Sequence, residues 1–392
     1  MAMILHRDGL PRRSALAILA IALASLVAAA PAHAETVGGS QLDSSRRTVN
    51  LSPEAQPLPE VWAATWVLAD AVTGEILAHK GAHVQRPPAS TLKTLTALTV
   101  LPQTSRDQTY VATRRAASIY GSRVGLKPGK TYTMHQLWNA VFLPSANDAA
   151  IAVAEVNGGV RKTVEEMNEV AAGLGALDTV AKNTNGLDAP GQVSSAYDLA
   201  LIARAGLERE DFSSYARRAR AQFPDVRGRG THTIYTTNRM LLNGWPGAIG
   251  VKTGFTSRAG RTFVGAAERN GRTLIVALMG IKESTDEAAK KLLTWGFRNA
   301  DKVEPVGVLV EPGAVTQVRS SIEESPAPST GSASEAADLT VDATDGSSQT
   351  AASLAPGEST SASIAPTGLI GVAIAVAVVG GVFLLRRGRL RR

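Results

Sequence analysis

Cysteine is absent from all 392 residues. That excludes disulfides, thiolate metal sites and a cysteine nucleophile, and an exported chain of this kind folds without oxidising machinery. The Gly-x-Ser-x-Gly elbow of α/β-hydrolases is also missing. Six histidines are present without a ligand pattern. His79 and His83 stand four apart with no acid beside them in the sequence, so they read as a surface pair, and neither a metal nor another cofactor is expected. No internal repeat is visible. The formal +7 equals the charge of the two ends, because residues 35–385 sum to zero, a mildly basic +6 over 35–315 offset by −6 over 316–366. The basic balance is therefore no sign of a nucleic-acid partner, and none is expected.

The ends carry addresses instead. Arg7, Arg12 and Arg13 precede an apolar run from Ala15 to Ala30, and Ala32-His33-Ala34 follows. Basic start, short apolar middle and small-x-small site predict a secretory signal peptide over residues 1–34. At the other end, residues 367–385 are uncharged and Arg386, Arg387, Arg389, Arg391 and Arg392 come next. Nineteen such residues predict a transmembrane helix, with residues 386–392 as a basic cytoplasmic tail. Residues 316–366 are rich in Ser, Thr, Ala and Pro, with seven acids against one arginine. They predict a disordered linker reaching roughly 40 Å. The expected protein is exported and hangs outside the cell membrane by its C-terminus.

Between the ends, residues 35–60 read as an extended leader and the fold is expected over 61–310. Strands are predicted at 63–68 and 75–78 around the turn residues 70–74. A helix is predicted from Ser90, with Leu92, Leu95, Leu98 and Leu101 on its apolar side. Residues 124–126 and 131–132 flank another turn. Thr133 and Gln136 form a capping-box pattern for a helix that Pro144 stops. Helices follow at 148–156 and 161–174, then a loop at 182–195 rich in Asn, Gly and Ser, then a helix at 197–205. Three strands are predicted at 249–256, 262–269 and 273–279, the last two joined by Asn270-Gly271, a hairpin signal. Ser284 caps a final helix to 297, and residues 303–315 form either a last strand or a tail.

Three short motifs carry the chemistry. In Ser90-Thr91-Leu92-Lys93 the hydroxyl and amine lie one turn apart on the same helix face. A serine hydroxyl needs a base, and an amine serves once it has lost its proton. Burial and a second cation both lower a lysine pKa. Ser145-Ala146-Asn147 sits in the connection between two apolar helices, and Lys252-Thr253-Gly254 sits on a strand. No other lysine has a serine three before it, no other asparagine has one two before it, and Lys-Thr-Gly occurs once. This ordered set is that of serine β-lactamases and penicillin-binding proteins.

On these residues the chain resembles the D-alanyl-D-alanine carboxypeptidases, the low-molecular-mass penicillin-binding proteins, over roughly residues 61–310. Asn183-Thr184-Asn185-Gly186-Leu187-Asp188, the run from Gly191 to Ala200, and Gly250 to Thr256 add to the likeness. The resemblance implies an α/β (α+β) fold of the DD-peptidase/β-lactamase-like class: an antiparallel sheet flanked by helices, plus a mostly helical lobe. It further implies that Ser90 attacks the bond between two D-alanines of a peptidoglycan stem pentapeptide, that Lys93 takes its proton, and that Ser145 relays a proton to the leaving amine. Asn147 would hold the substrate amide. Lys252 and Thr253 would grip the terminal carboxylate, Gly254 would let backbone approach the ligand closely, and Lys252 would be the second cation acting on Lys93. The backbone N–H groups of Ser90 and Phe255 would form the oxyanion hole. β-Lactams are the implied inhibitors.

Two departures stand out. The linker takes the place where such carboxypeptidases often carry a second, β-rich domain, and Ala146 stands where many relatives have Gly or Asp. One rival function is a β-lactamase with a deacylating glutamate in the loop before Lys-Thr-Gly. Residues 182–195 hold no Glu, only Asp188, which predicts slow release of a bound β-lactam. The other is a catalytically inactive membrane protein that binds wall peptides, and release of D-alanine separates it from an enzyme.

Overall fold

The computed structural model describes residues 36–314 apart from 226, 227 and 229. The expected signal peptide, linker, membrane span and tail lie outside the described residues. Among the described residues no helix is long and apolar enough to cross a membrane.

The first strands are β1 (Arg47–Thr48) and β2 (Asn50–Leu51), followed by a hairpin of β3 (Thr65–Asp70) and β4 (Glu75–Lys80). Asp70 builds that turn by accepting from the N–H groups of Val72 and Thr73. A 3-10 turn, Ala89–Leu92, leads into α1 (Lys93–Val100). A mostly helical lobe follows: β5 (Thr109–Val111), α2 (Arg114–Ser118), β6 (Thr131–Thr133), α3 (Met134–Phe142), α4 (Asn147–Val156) and α5 (Val160–Leu174). Next come α6 (Ala196–Leu207), α7 (Glu210–Ala216), the hairpin β7 (Arg220–Pro224) and β8 (Thr231–Tyr235), and α8 (Arg239–Leu242). The chain then lays down β9 (Ala248–Thr256), β10 (Gly260–Arg269), β11 (Arg272–Ile281) and α9 (Thr285–Asn299), and ends in β12 (Val303–Glu304) and β13 (Gly307–Val308).

The main sheet is antiparallel, in the order β1-β4-β3-β11-β10-β9, with β13 also pairing β4. Successive side chains on a strand face opposite sides, and here both sides are covered. Val67, Ala69, Ile275, Ala277 and Met279 pack with α1 and α6 in the larger core. Trp66, Leu68, Leu274, Val276 and Leu278 pack with Ala288, Ala289, Leu292 and Leu293 of α9. The central strands are therefore apolar at nearly every position instead of alternating. The expected fold class is borne out: mixed helix and antiparallel sheet.

Local chemistry sets several boundaries. Thr133 accepts from the N–H of Gln136 while Gln136 accepts from the N–H of Thr133, the reciprocal cap expected at the start of α3. Asn270 and Gly271 both take positive φ, 51° and 78°, as a two-residue hairpin with right-handed strand twist requires.

Other expectations are corrected. The fold does not start near Val61: β1 pairs with β4 and β2 with β12, Leu42 is buried, and Gln56 accepts from the Trp295 indole. Residues 124–126 form no strand, because the N–H groups of Val124, Gly125 and Leu126 are taken by the Asp148 carboxylate. β6 pairs with β5 instead. The 303–315 stretch supplies two short strands, and α2, α7, α8 and the β7–β8 hairpin were not legible beforehand.

Candidate active site

All three motifs meet along the edge strand β9. Ser90 lies in the 3-10 turn that begins at Ala89, a non-glycine residue held at φ 50°. Such left-handed conformers are uncommon and concentrate at functional sites. Ser145, at φ 61°, is a second one. Two glycines let other segments close on the serine. A Cβ on Gly186 would stand 1.9 Å from the Ala89 carbonyl oxygen, and one on Gly254 would stand 2.8 Å from the Ser90 nitrogen. Pro88 fixes the entry, its carbonyl accepting from the hydroxyls of Thr91 and Thr262.

Lys93, the first residue of α1, turns its amine inward and is 1% exposed. Its Nζ lies 2.9 Å from Ser90 Oγ, 2.8 Å from Asn147 Oδ1 and 2.6 Å from the Asn185 carbonyl oxygen. Asn147 is oriented by its other end, where Nδ2 donates to the Tyr120 carbonyl at 2.8 Å. Burial is the main force holding the Lys93 pKa well below the ordinary lysine value, and the charge of Lys252 adds to it against the pull of Asp148.

Lys252 is equally buried, and among the described residues its amine donates only to the Thr253 carbonyl, at 2.9 Å. Burial lowers its pKa to about 7. The Thr253 hydroxyl is hydrogen-bonded to that of Thr237. Ser145 Oγ is buried and has no hydrogen-bond partner among the described residues. Ser90, Ser145, Thr237, Thr253, Gly254 and Phe255 line one cleft of about 700 Å³. The Phe255 ring is exposed at its mouth. The Ser90 and Ser145 hydroxyls thus open on one groove, with a buried amine in each of the two motifs that hold Ser90 and Thr253, an arrangement that suits acyl transfer to serine.

A family model described as D-alanyl-D-alanine carboxypeptidase, of the S11 peptidases, matches residues 52–283. The chain belongs to the D-alanyl-D-alanine carboxypeptidase family. It is 41% identical over 249 residues to the D-alanyl-D-alanine carboxypeptidase DacB2 of Mycobacterium tuberculosis, covering 62% of this chain and 84% of that protein. It is 34% identical over 279 residues to DacD of Escherichia coli, covering 67% and 70%. Among solved structures, a D-alanyl-D-alanine carboxypeptidase from Mycobacterium tuberculosis H37Rv superposes with a TM-score of 0.62 at 38% identity, over 66% of this chain and 99% of that one. A mutant of the Streptomyces K15 DD-transpeptidase gives 0.59 at 28% identity, over 61% and 99%. The protein is a serine peptidase of carboxypeptidase type, and an acyl-enzyme and acylation by β-lactams fit the family.

Several residues that support Lys93 or line the cleft were not among the motif residues. Asn185 acts through its carbonyl, which no side-chain pattern reveals. Asn183 shapes that loop, its Oδ1 accepting from the N–H of Gly186 at 2.8 Å and its Nδ2 donating to the Leu187 carbonyl at 2.8 Å. Gln192 clamps the same loop through the N–H groups of Lys182 and Asn183. Thr237 comes from the segment between β8 and α8 and carried no signal. The histidine expectation is overturned: His79 is fully buried, and His83 has an acid after all, Asp178, 95 residues on in sequence and 2.8 Å away.

Proposed function

We propose that Ser90 is the acylated nucleophile and Lys93 its general base, removing the terminal D-alanine from peptidoglycan stem peptides. One observation carries this reading. The contacts from Nζ to Asn185 and Asn147 end on carbonyl oxygens, which only accept. A neutral amine has two N–H groups and one lone pair. In that neutral form both N–H groups are taken and the lone pair faces the Ser90 hydroxyl at 2.9 Å, whereas an ammonium would donate its third N–H there. Burial and the neighbouring Lys252 favour that neutral form.

The other roles follow from position. Ser145 Oγ, without a partner of its own, relays the proton to the departing D-alanine nitrogen. Lys252 and Thr253 receive the substrate carboxylate, a charge-assisted contact. Gly254 brings β9 against the Ser90 amide, and the N–H groups of Ser90 and Phe255 serve as the oxyanion hole. Asn147 orients Lys93 and keeps one further N–H and one lone pair for a substrate amide. Loop 182–195 presents a backbone carbonyl to Lys93, not a carboxylate, which favours a peptidase over a β-lactamase with a deacylating glutamate. An exported protein held outside the membrane by residues 367–385 fits a family that acts on cell-wall peptides.

The test is release of D-alanine from a peptide ending Lys-D-Ala-D-Ala, with covalent labelling by a fluorescent penicillin. The intact chain should do both, and Ser90→Ala should do neither. Labelling that survives Ser90→Ala overturns the assignment. Rapid penicillin turnover would instead favour the β-lactamase.

A further inference from the structure

Away from the amines of the cleft, the segment leading to Ser90 and the two ends of the 182–195 loop converge on a cluster that the peptidase chemistry does not use. His83 Nε2 lies 3.0 Å from the Val37 carbonyl oxygen, and His83 Nδ1 lies 2.8 Å from Asp178 Oδ2. A carbonyl only accepts, so Nε2 carries the hydrogen. In the neutral ring the Nδ1 lone pair then faces a carboxylate oxygen, and two acceptors at that distance require a positive centre between them. A proton is one solution. The third member points to another. Asp198 is wholly buried, its Oδ2 accepts from the Thr179 hydroxyl at 2.7 Å, and its Oδ1 has no hydrogen-bond partner among the described residues. A buried carboxylate oxygen left unsatisfied calls for a ligand. One ligand atom from each of His83, Asp178 and Asp198 lies within 4.8 Å of the other two.

We propose that His83, Asp178 and Asp198 form a divalent-metal site of Zn²⁺ character, with one imidazole nitrogen, two carboxylate oxygens and water completing the shell. Imidazole selects Zn²⁺ over Ca²⁺ and Mg²⁺, and three protein ligands with an open position are a common zinc arrangement. The surroundings have the outer-shell form that metal ligands take, with the far ring nitrogen donating to a backbone carbonyl and a carboxylate braced by a hydroxyl. His83 and Asp178 are each about one-fifth exposed at the side chain, so an ion can enter from solvent. His83 lies between β4 and the turn that carries Ser90, while Asp178 and Asp198 bracket the loop whose Asn185 holds Lys93. Backbone bonds between Arg86 and Ser194 already join the two segments. An ion bound here is a structural clamp between nucleophile and base supports, and takes no part in the reaction.

The experiment uses the intact chain purified without a polyhistidine tag and stripped with EDTA. Calorimetric titration with ZnCl₂ should show about one ion per chain and Zn²⁺ should raise the melting temperature. Co²⁺ should give visible absorption bands of a low-coordinate nitrogen/oxygen site. Asp178→Asn, a near-isosteric change at a partly exposed position, should weaken binding at least roughly tenfold, and His83→Gln should do the same, while both variants still label with penicillin at Ser90. Absence of Zn²⁺ binding and of any melting shift overturns the proposal. So does binding that is unchanged in both variants, which places the ion elsewhere, and so does stabilisation by Ca²⁺ with none by Zn²⁺.

Discussion

Lys93 and Lys252 are each 1% exposed, yet they are furnished very differently. Lys93 has three partners drawn from three segments: Ser90, Asn147 of α4, and Asn185 of the 182–195 loop. Among the described residues Lys252 has one, the carbonyl of the next residue, and Ser145, whose hydroxyl lines the cleft, has none. On the proposed roles, the acylating half is assembled before substrate arrives, as electrostatic preorganisation requires. The half proposed to bind the carboxylate is left short of partners, and a peptide's terminal carboxylate would supply what it lacks. The first half should control the rate of bond making and the second should control recognition.

Removing the base breaks the first half outright. Lys93→Met should lower kcat and the rate of penicillin acylation by roughly 10²–10⁴-fold with little change in KM, the usual weight of a positioned general base. Stopped-flow acylation with a fluorescent penicillin checks this. An unchanged acylation rate would reassign the base. Gly186→Ala attacks the same half from behind. Its backbone sits at φ 80° and the new Cβ would meet the Ala89 carbonyl at 1.9 Å. The loop must withdraw and take the Asn185 carbonyl from Lys93, so the variant should acylate slowly and lose on the order of 3 kcal/mol of stability. Denaturant melts and labelling rates measure the two effects separately.

The same contrast explains what could be read beforehand. Side chains with a strict order, Ser90 with Lys93, Ser145 with Asn147, and Lys252 with Thr253, were visible because the chemistry dictates residue type. The strands were visible because burial on both faces makes them continuously apolar, and the β10–β11 turn because Asn-Gly suits positive φ. Asn185 was not visible as a site member because its contribution is a carbonyl, which every residue has. Residues 35–60 read as an extended leader because β1 and β2 are two residues long, and their partners β4 and β12 lie far off in sequence. His83 and Asp178 were missed for the same reason of distance.

Lys252→Gln tests the second half. Losing a charge-assisted contact to the carboxylate should raise KM by roughly 10–100-fold and leave kcat for bound substrate much less affected. The two halves are also coupled, because the Lys252 charge helps hold the Lys93 pKa down. Without it, protonated Lys93 is less disfavoured, so its pKa rises and the acid limb of the kcat/KM profile should move to higher pH. A profile that stays in place would mean burial alone sets the base.

The smallest effect concerns stability. Lys252 titrates at about 7 in the folded protein against an ordinary value of 10.5. Between those values the unfolded chain binds a proton that the folded chain does not, so stability rises with pH across the window, by at most ~1.4 kcal/mol per pH unit. Below about pH 7 both states hold the proton, and the cost of burying the cation is borne in full. Melting temperature should therefore climb by roughly 2–4 °C per unit from pH 7 towards 10. Lys252→Met should remove this residue's share of the climb, leaving that of Lys93, whose pKa is also held low, and be the more stable protein on its acid side, since a buried ammonium is exchanged for an apolar side chain of similar length. Adding a substrate-like carboxylate should flatten the wild-type climb as well, because the anion restores the charge that burial removes. If wild type and variant melt in parallel across this range, Lys252 is not neutralised by its surroundings, and the carboxylate-binding half is as well furnished as the acylating one.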